Sequence, residues 1–266
     1  MRLKGFVLAG VMALAAIAGS MSHAMAGKLE DIKDRGVIRV GVSLGGEPIG
    51  FRDAENNPAG YDVDLAKRLA EKLGVKIEYT DVSGDARVSM LLSDQLDAVI
   101  GNLSATLERA KSIDFTIPYN RAGLRVVVQK DSGIKSLDDL AGHKIVVGRG
   151  STGESFIKRR VPDAEMVYTD NFAPDGVLLL KQRRVDAGIE DSSLVDYLAA
   201  QEDNLVTMKG LFSNDPIAIG VRKGDPEFLR WMDMFVSDYI SSGDYETSYK
   251  KWWGEDANPP TLNPLW

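Results

Sequence analysis

The sequence predicts an α/β fold, and three observations lead to that prediction. From Gly36 onward, short runs rich in valine and isoleucine alternate with segments whose apolar residues recur at helical spacing. Two such sets follow one another, one before Pro118 and one after it, without a residue-level repeat. The 266 residues, 44% of them hydrophobic, suffice either for one large unit or for two lobes.

The first set is predicted to run β-α-β-α-β. Its clearest element is a helix at 61–73, where apolar residues form one stripe and Gly74 follows as a terminator. The other predicted elements are a helix at about 85–93 and strands at 37–42, 76–80 and 97–100.

The second set contains predicted strands at 124–129, 144–147, 166–168 and 185–189, and helices that start at Thr152, near Ala173 and at Asp191. The chain closes with a predicted strand at 217–221 and predicted helices at 226–241 and 245–253. Stretches that contain proline or glycine, at 118–123 and 214–216, are candidate crossings between two lobes.

The first 26 residues predict a cleavable export signal. Arg2 and Lys4 precede an uncharged run at 6–18, which is shorter than the roughly 20 residues of a membrane span. The segment Ala24-Met25-Ala26 has the small-x-small form that precedes a cleavage site. We therefore expect a mature periplasmic chain that begins at Gly27, with an uncleaved N-terminal anchor as the alternative.

Composition and charge exclude several function classes. Loss of Arg2 and Lys4 with the signal changes the net charge from −7 to −9, which argues against a nucleic acid partner. Cysteine is absent, and His143 is the one histidine of the mature chain, so we expect no thiolate metal site and no His-based triad. We expect no metal, no cofactor and no enzymatic activity.

Two loops are candidate anion sites, because each follows a predicted strand and is expected to open a helix. In the loop at 101–109, Arg109 can reach back towards the strand end, although simple capping with a surface arginine is the alternative. The loop at 148–153 spells G-x-G-x-x-G, with Asp170 about twenty residues on, so a dinucleotide site is a second hypothesis. The segment 151–154 is also a capping box.

Asp191 lies between a predicted strand and a predicted helix. It is suited to capping the helix, and it is equally suited to accepting a ligand ammonium beyond the carboxyl end of the strand. Spacing alone leaves both interpretations open.

A series of motifs runs in order through the mature chain: GYDVDLA at 60–66, LDAVI at 96–100, SATLER at 104–109, IDF at 113–115, PY at 118–119, DDLAG at 138–142, GST at 150–152, VDA at 185–187, VRKGD at 221–225 and KWWG at 251–254. In these motifs the chain resembles the extracellular solute-binding proteins of family 3, the polar amino acid receptors of ABC importers.

The resemblance implies a type II periplasmic binding protein fold with two α/β lobes, each a central sheet flanked by helices, and two hinge crossings. It implies a first lobe at 27–119 and 216–266 and a second lobe at 120–215. It also implies a monomer that closes over a small-molecule amino acid ligand and delivers it to the permease subunits of an ABC transporter.

The resemblance further implies how the ligand backbone is bound. Arg109 would bind the α-carboxylate in a bidentate pair, helped by Ser104, Ser151 and Thr152. The α-ammonium would meet the backbone oxygen of Asn102 and the carboxylate of Asp191.

Five positions bear on the ligand side chain. Ser43 stands where receptors for basic amino acids carry an acid, and Gly46 and Gly84 stand where they carry aromatic walls. Arg87 aligns with an arginine that receptors for acidic amino acids direct at the distal carboxylate, and Arg149 is a second candidate for that role. We expect an acidic or amide side chain, or an amino acid derivative larger than the standard ones.

The fold family leaves two alternatives. A dehydratase of the cyclohexadienyl or arogenate type would need an acid in the pocket, which Ser192, Ser193 and Leu194 cannot supply. Glu190 is expected to point towards the opposite face of its sheet. A ligand-sensing ectodomain is the other alternative, although no membrane segment follows in a chain that ends at Trp266.

Overall fold

The computed structural model describes residues 27–84 and 86–265, so the predicted export signal at 1–26 lies outside the described residues. The helices are α1 Lys28–Arg35, α2 Tyr61–Leu73, α3 Ala86–Leu92, α4 Thr152–Arg160, α5 Val177–Lys181, α6 Ser192–Ala200, α7 Pro226–Ser241 and α8 Asp244–Trp253. The strands are β1 Val37–Val42, β2 Phe51–Arg52, β3 Pro58–Ala59, β4 Lys76–Asp81, β5 Ala98–Val99, β6 Ile113–Ala122, β7 Leu124–Gln129, β8 Lys144–Gly148, β9 Glu165–Thr169, β10 Ala187–Asp191, β11 Leu205–Thr207 and β12 Asp215–Arg222.

The first sheet has the strand order β4-β1-β5-β12-β6. β1 is parallel to β4 and β5, whereas β12 is antiparallel to β5 and β6. Ala98 and Ile100 belong to a core shared with α2 and α7, while Val99 belongs to a second core shared with α3. Because successive strand residues enter opposite cores, helices cover both faces of this sheet.

The second sheet has the order β11-β7-β10-β8-β9, in which β8 is parallel to β9 and β10, and β7 is antiparallel to its neighbours. Val126 and Val128 pack in one core with α4, and Val127 packs in another with α6. The second sheet is therefore covered on both faces as well. We call the part built on the first sheet lobe 1 and the part built on the second sheet lobe 2. The predicted α/β class is confirmed.

The chain passes between the lobes at two points that lie side by side. β6 ends one residue before Gly123 and β7 begins one residue after it, and the return passes through Ser213 just before β12. A Cβ on Gly123 would lie 2.2 Å from the carbonyl oxygen of Ser213, so a glycine is required for this close approach. The predicted lobe boundaries at 119/120 and 215/216 stay predictions.

Several elements differ from the prediction. Gly123 lies within the candidate crossing at 118–123, but residues 118–122 of that range continue the ten-residue β6. Proline is tolerated there because β6 is an edge strand and its register with β12 shifts beside Pro118. The helix predicted near 173–183 begins as a π-helical turn at Phe172–Gly176 before α5. Among the described residues, no helix combines the length and the apolar character that crossing a membrane requires.

Candidate functional site

A cleft of about 90 Å³ lies between the two lobes, which is several times the roughly 10–15 Å³ that one water molecule needs. It lies at the carboxyl ends of the parallel strands, the usual ligand position in open α/β sheets. All nine predicted ligand residues line this cleft: Ser43, Arg87, Asn102, Ser104 and Arg109 from lobe 1, and Arg149, Ser151, Thr152 and Asp191 from lobe 2.

The loop at 101–109 does not open an α-helix, and this corrects the prediction. It is followed by a single 3-10 turn at Arg109–Lys111, so an α-helical N-terminus is not available to an anion here. The positive group that this loop presents to the cleft is the Arg109 guanidinium. It donates to the Ser104 carbonyl (2.8 Å) within lobe 1 and to the Gly150 carbonyl (3.0 Å) of lobe 2.

The loop of lobe 2 does open a helix, the nine-residue α4. The Ser151 hydroxyl accepts the N–H of Glu154 (3.0 Å), and the Glu154 carboxylate accepts the N–H of Gly150 (2.7 Å). The predicted capping box is thus present, although the glutamate bonds one residue earlier than the usual pattern. Asp170, the candidate ribose ligand of the dinucleotide hypothesis, instead accepts a 3.3 Å hydrogen bond from Arg149.

Asp191 provides a buried carboxylate opposite the Arg109 loop. It is 2% exposed, and although it occupies the N-cap position of α6, its side chain makes no capping hydrogen bond. Oδ2 accepts the Asn102 side-chain amide of lobe 1 (2.7 Å), while Oδ1 is buried without a hydrogen-bond partner in the described part of the chain. Burial, and then the nearby charge of Glu190, raise the pKa of Asp191. A ligand ammonium at Oδ1 would offset both effects.

Asn102 is held in place by Asp62, a residue that the sequence analysis did not identify. Asn102 has a left-handed φ of 48°, and its N–H donates to Asp62 Oδ2 (2.6 Å). Asp62 Oδ1 accepts the Tyr119 hydroxyl (2.8 Å), and burial raises the pKa of Asp62 to about 7. The sequence did contain an indication of this role, because Asp62 lies within the apolar stripe at the start of α2. A carboxylate buried at such a position needs hydrogen-bond donors around it.

Arg87 lies on α3 and extends to the cleft beside Asn102. Its Nε donates to the Gly84 carbonyl (3.0 Å) and its Nη1 donates to the Gly101 carbonyl (2.7 Å), with a longer 3.4 Å contact to the Asn102 carbonyl. Burial lowers the pKa of Arg87, and the charges of Glu190 and Asp191 oppose that shift. Neutral carbonyls thus fix the guanidinium at the cleft wall.

Glu190 lines the same cleft, which corrects the expectation that it points to the far face of its sheet. The β8–β10 ladder ends at Ile189, and the residue beside Glu190 on β8 is Gly148. A Cβ on Gly148 would lie 3.1 Å from Glu190 Oε2, so the missing side chain makes room for the carboxylate. Within the sheet, successive residues of a strand point to opposite faces, and helices cover both faces. At the carboxyl ends of the strands both faces border the cleft, so Glu190 and Asp191 can both reach it.

Gly46 and Gly84 stand at the positions where receptors for basic amino acids carry aromatic side chains. Both glycines lie at close contacts between the two lobes. A Cβ on Gly46 would lie 2.2 Å from the Ala173 Cβ, and a Cβ on Gly84 would lie 2.6 Å from the Arg149 carbonyl oxygen. Lobe 2 therefore occupies the space that aromatic side chains would fill. Arg149 itself lies at the exposed mouth of the cleft, with its guanidinium 5.0 Å from the centre of the Tyr168 ring.

Comparison with known proteins identifies related binding proteins along most of the chain. The family described as bacterial extracellular solute-binding proteins, family 3, matches residues 38–255. The L-cystine-binding protein TcyJ of Escherichia coli K12 is 30% identical over 94% of this chain and 96% of its own length. The glutamine-binding protein GlnH of Bacillus subtilis is 30% identical over 94% and 95%, respectively. The crystal structure of a cysteine-binding protein from Campylobacter jejuni covers 87% of this chain and 96% of its own, with a TM-score of 0.83 and 30% identity.

Proposed function

Because the chain belongs to the bacterial extracellular solute-binding proteins of family 3, we propose that it is a periplasmic receptor for an amino acid with an acidic or polar side chain. It delivers this ligand to the permease subunits of an ABC transporter and has no catalytic role. The observation that carries the proposal is that Arg109 of lobe 1 and Asp191 of lobe 2 line one cleft. Their charges are complementary to the two ends of an amino acid zwitterion.

The α-carboxylate of the ligand binds next to Arg109. The guanidinium presents a planar set of N–H donors that suits a carboxylate. The Ser151 hydroxyl accepts the Glu154 N–H, so its own proton remains free to donate to the ligand. Ser104 and the first turn of α4, at Thr152, add polar groups and a favourable helix dipole.

The α-ammonium binds between Asn102 and Asp191. The buried Oδ1 of Asp191 accepts one of its protons, and this contact removes an unpaired buried acceptor from the protein. The Asn102 carbonyl accepts a second proton. Asp62 contributes by holding Asn102 in its left-handed conformation.

Ligand capture is coupled to closure of the lobes. Hydrogen bonds join residues of the two lobes: Asn102 to Asp191, Arg109 to Gly150, and Tyr197 to Glu47 (2.9 Å). A ligand that contacts both lobes binds the closed form more tightly than the open form and so shifts the population towards closure. The closed form is the shape that the permease recognises.

A thermal-shift screen of the mature protein against the standard amino acids and cystine tests the proposal. A ligand present at about a thousand times its Kd adds roughly 4 kcal/mol to the free energy of unfolding. We expect stabilisation by a subset of polar amino acids, and we expect Arg109→Ala to abolish it. Stabilisation by nicotinamide dinucleotides alone, or by no amino acid at all, would contradict the proposal.

A dehydratase of the cyclohexadienyl or arogenate type is the second candidate, and the position of Glu190 favours it. Such an enzyme needs an acid that protonates the departing hydroxyl. Glu190 lines the cleft, and burial raises the pKa of its carboxyl group. Incubation with arogenate and prephenate separates the two functions: release of carbon dioxide and an aromatic product, lost in Glu190→Gln, would establish the enzyme, and unchanged substrate would exclude it.

A further inference from the structure

The charged residues of the cleft fall into pairs of opposite sign. Arg149 and Asp170 pair with each other at the exposed mouth. Arg109 and Asp191 match the backbone of an amino acid. Arg87 and Glu190 then remain, and both line the cleft next to the ligand backbone position.

Arg87 keeps its positive charge available to the cleft. Within the described residues, its guanidinium donates hydrogen bonds to the neutral carbonyls of Gly84, Gly101 and Asn102. No carboxylate oxygen of the residues in 27–84 and 86–265 lies within 4.0 Å of its guanidinium. Burial lowers the pKa of Arg87 and the charge of Glu190 raises it, so Glu190 lies within reach of the electrostatic field of Arg87.

Glu190 has a complementary position. Its Oε1 accepts the N–H of Asp191 at 3.2 Å, and its Oε2 faces the bare backbone of Gly148. Within the described chain, no lysine or arginine nitrogen lies within ion-pair distance of this carboxylate. A cation and an anion therefore face the same part of the cleft without touching each other.

We infer that Arg87 and Glu190 together select the far end of the ligand, and that this end carries both a hydrogen-bond acceptor and a donor, as in a carboxamide or a second amino acid head group. This inference rests on the proposed function and narrows it. A carboxylate on the ligand would be attracted by Arg87 but repelled by Glu190. An ammonium would be attracted by Glu190 but repelled by Arg87. A group with both an acceptor and a donor can accept a hydrogen bond from Arg87 and donate one to Glu190.

The lining of the cleft is compatible with this selection. Ile49, Phe172 and Leu194 contribute apolar side chains to the cleft, and Gly45 and Gly46 contribute backbone. Apolar contacts of this kind suit many ligand stems, so discrimination depends on the polar groups at the far end. Sites that hydrogen-bond a substrate group reject an analogue that lacks it more strongly than apolar pockets reject a change in size.

Calorimetry with glutamine, glutamate, lysine and cystine tests the inference, because glutamine and glutamate have the same shape and differ in charge. For the wild-type protein we expect glutamine or cystine to bind at least about tenfold more tightly than glutamate and lysine. Tighter binding of glutamine would identify the far-end group as a carboxamide, and tighter binding of cystine would identify it as a second amino acid head group. The inference would be overturned if the affinity for glutamate equalled or exceeded the affinities for glutamine and cystine.

Glu190→Gln provides the decisive variant, since it keeps the size of the side chain and removes its charge. We expect the glutamate-to-glutamine affinity ratio to rise about tenfold or more, and lysine binding to weaken. Asp170→Asn is the matched control: it removes one negative charge at the mouth, where Asp170 already pairs with Arg149, and we expect it to leave the ratio unchanged.

The outcomes separate this inference from the proposed function. If amino acids bind but the ratio in Glu190→Gln matches the wild-type ratio, the inference fails and the receptor function stands. If no amino acid stabilises or binds the wild-type protein, the receptor function fails and the inference fails with it.

Discussion

At the scale of single residues, the cleft brings together side chains of opposite charge from the two lobes. Arg109 connects Ser104 to Gly150, and one buried oxygen of Asp191 has no hydrogen-bond partner among residues 27–84 and 86–265. Leaving such an oxygen unsatisfied costs stability, which a bound ammonium would restore.

We predict that Arg109→Ala weakens ligand binding by about 3–5 kcal/mol, because the ligand carboxylate would be left buried without a counter-charge. Calorimetry measures the loss. Arg230→Ala is the matched control, because this arginine is exposed on α7 of lobe 1 and does not line the cleft. Equal losses in the two variants would contradict the role of Arg109.

Asp62 gives a pH-dependent prediction. Its pKa is raised by burial from 3.8 to about 7, so the folded state binds more protons than the unfolded state between these values. The contribution of Asp62 to stability is therefore present at low pH and is lost as the pH rises through about 7. We expect roughly 2–3 kcal/mol less stability at pH 8 than at pH 5 from this group.

Urea unfolding of the wild-type protein and of Asp62→Asn, at both pH values, isolates that contribution. Other carboxylates, such as Asp191 and Glu190, titrate in both proteins and cancel in the difference. We expect the wild-type advantage over Asp62→Asn to shrink at pH 8. A pH-independent difference would show that Asp62 does not titrate in this range.

At the scale of secondary structure elements, small residues lie where segments approach one another closely at the cleft. The loop after β1 meets the π-helical turn at Phe172–Gly176 through Gly46 and Ala173, and the end of β8 makes room for Glu190 through Gly148. Glycine is needed at these positions because another segment fills the space of the side chain, not because of backbone strain.

We predict that Gly46→Ala leaves the fold intact and weakens ligand binding by about tenfold, because its Cβ would lie 2.2 Å from that of Ala173 and oppose closure. The double variant Gly46→Ala/Ala173→Gly removes one of the two colliding methyl groups and should recover the affinity. Binding that stays weak in the double variant would assign the loss to a cause other than closure.

At the scale of the whole molecule, α8 links the two lobes near the hinge. Trp253 Nε1 of lobe 1 donates to the Ser193 carbonyl of lobe 2 (2.9 Å), while its ring stacks on Tyr249 with centroids 4.4 Å apart. The neighbouring Trp252 donates to Asp64 (2.8 Å), and that contact stays within lobe 1. One tryptophan thus joins the lobes, and the other fixes the helix to its own lobe.

These two tryptophans form a matched pair for a test of closure. Trp253→Phe removes a hydrogen bond between the lobes worth about 1 kcal/mol, so we expect roughly fivefold weaker ligand binding. Trp252→Phe removes a bond within lobe 1, so we expect lower thermal stability with unchanged affinity. Calorimetry and thermal unfolding measure the two effects, and equal affinities in the two variants would contradict the assignment.

Much of the architecture was predictable from local patterns. α2 and α7 have the predicted bounds, because a buried stripe and the terminal residues of a helix are encoded within one short segment. The capping residue Ser151 was predictable for the same reason. The ordered motifs identified the family correctly, and the nine predicted ligand residues line one cleft; their individual roles stay predictions.

Other features depended on contacts between distant segments. Asp62 holds Asn102 from 40 residues away, and Asn102 meets Asp191 across 89 residues. The cleft position of Glu190 follows from the glycine beside it on β8, and the short turn after Ser104 replaced an expected helix. Periodicity records which face of an element is buried, whereas the direction of a side chain at a strand end depends on which neighbour leaves space for it. That neighbour is determined only when the two sheets come together.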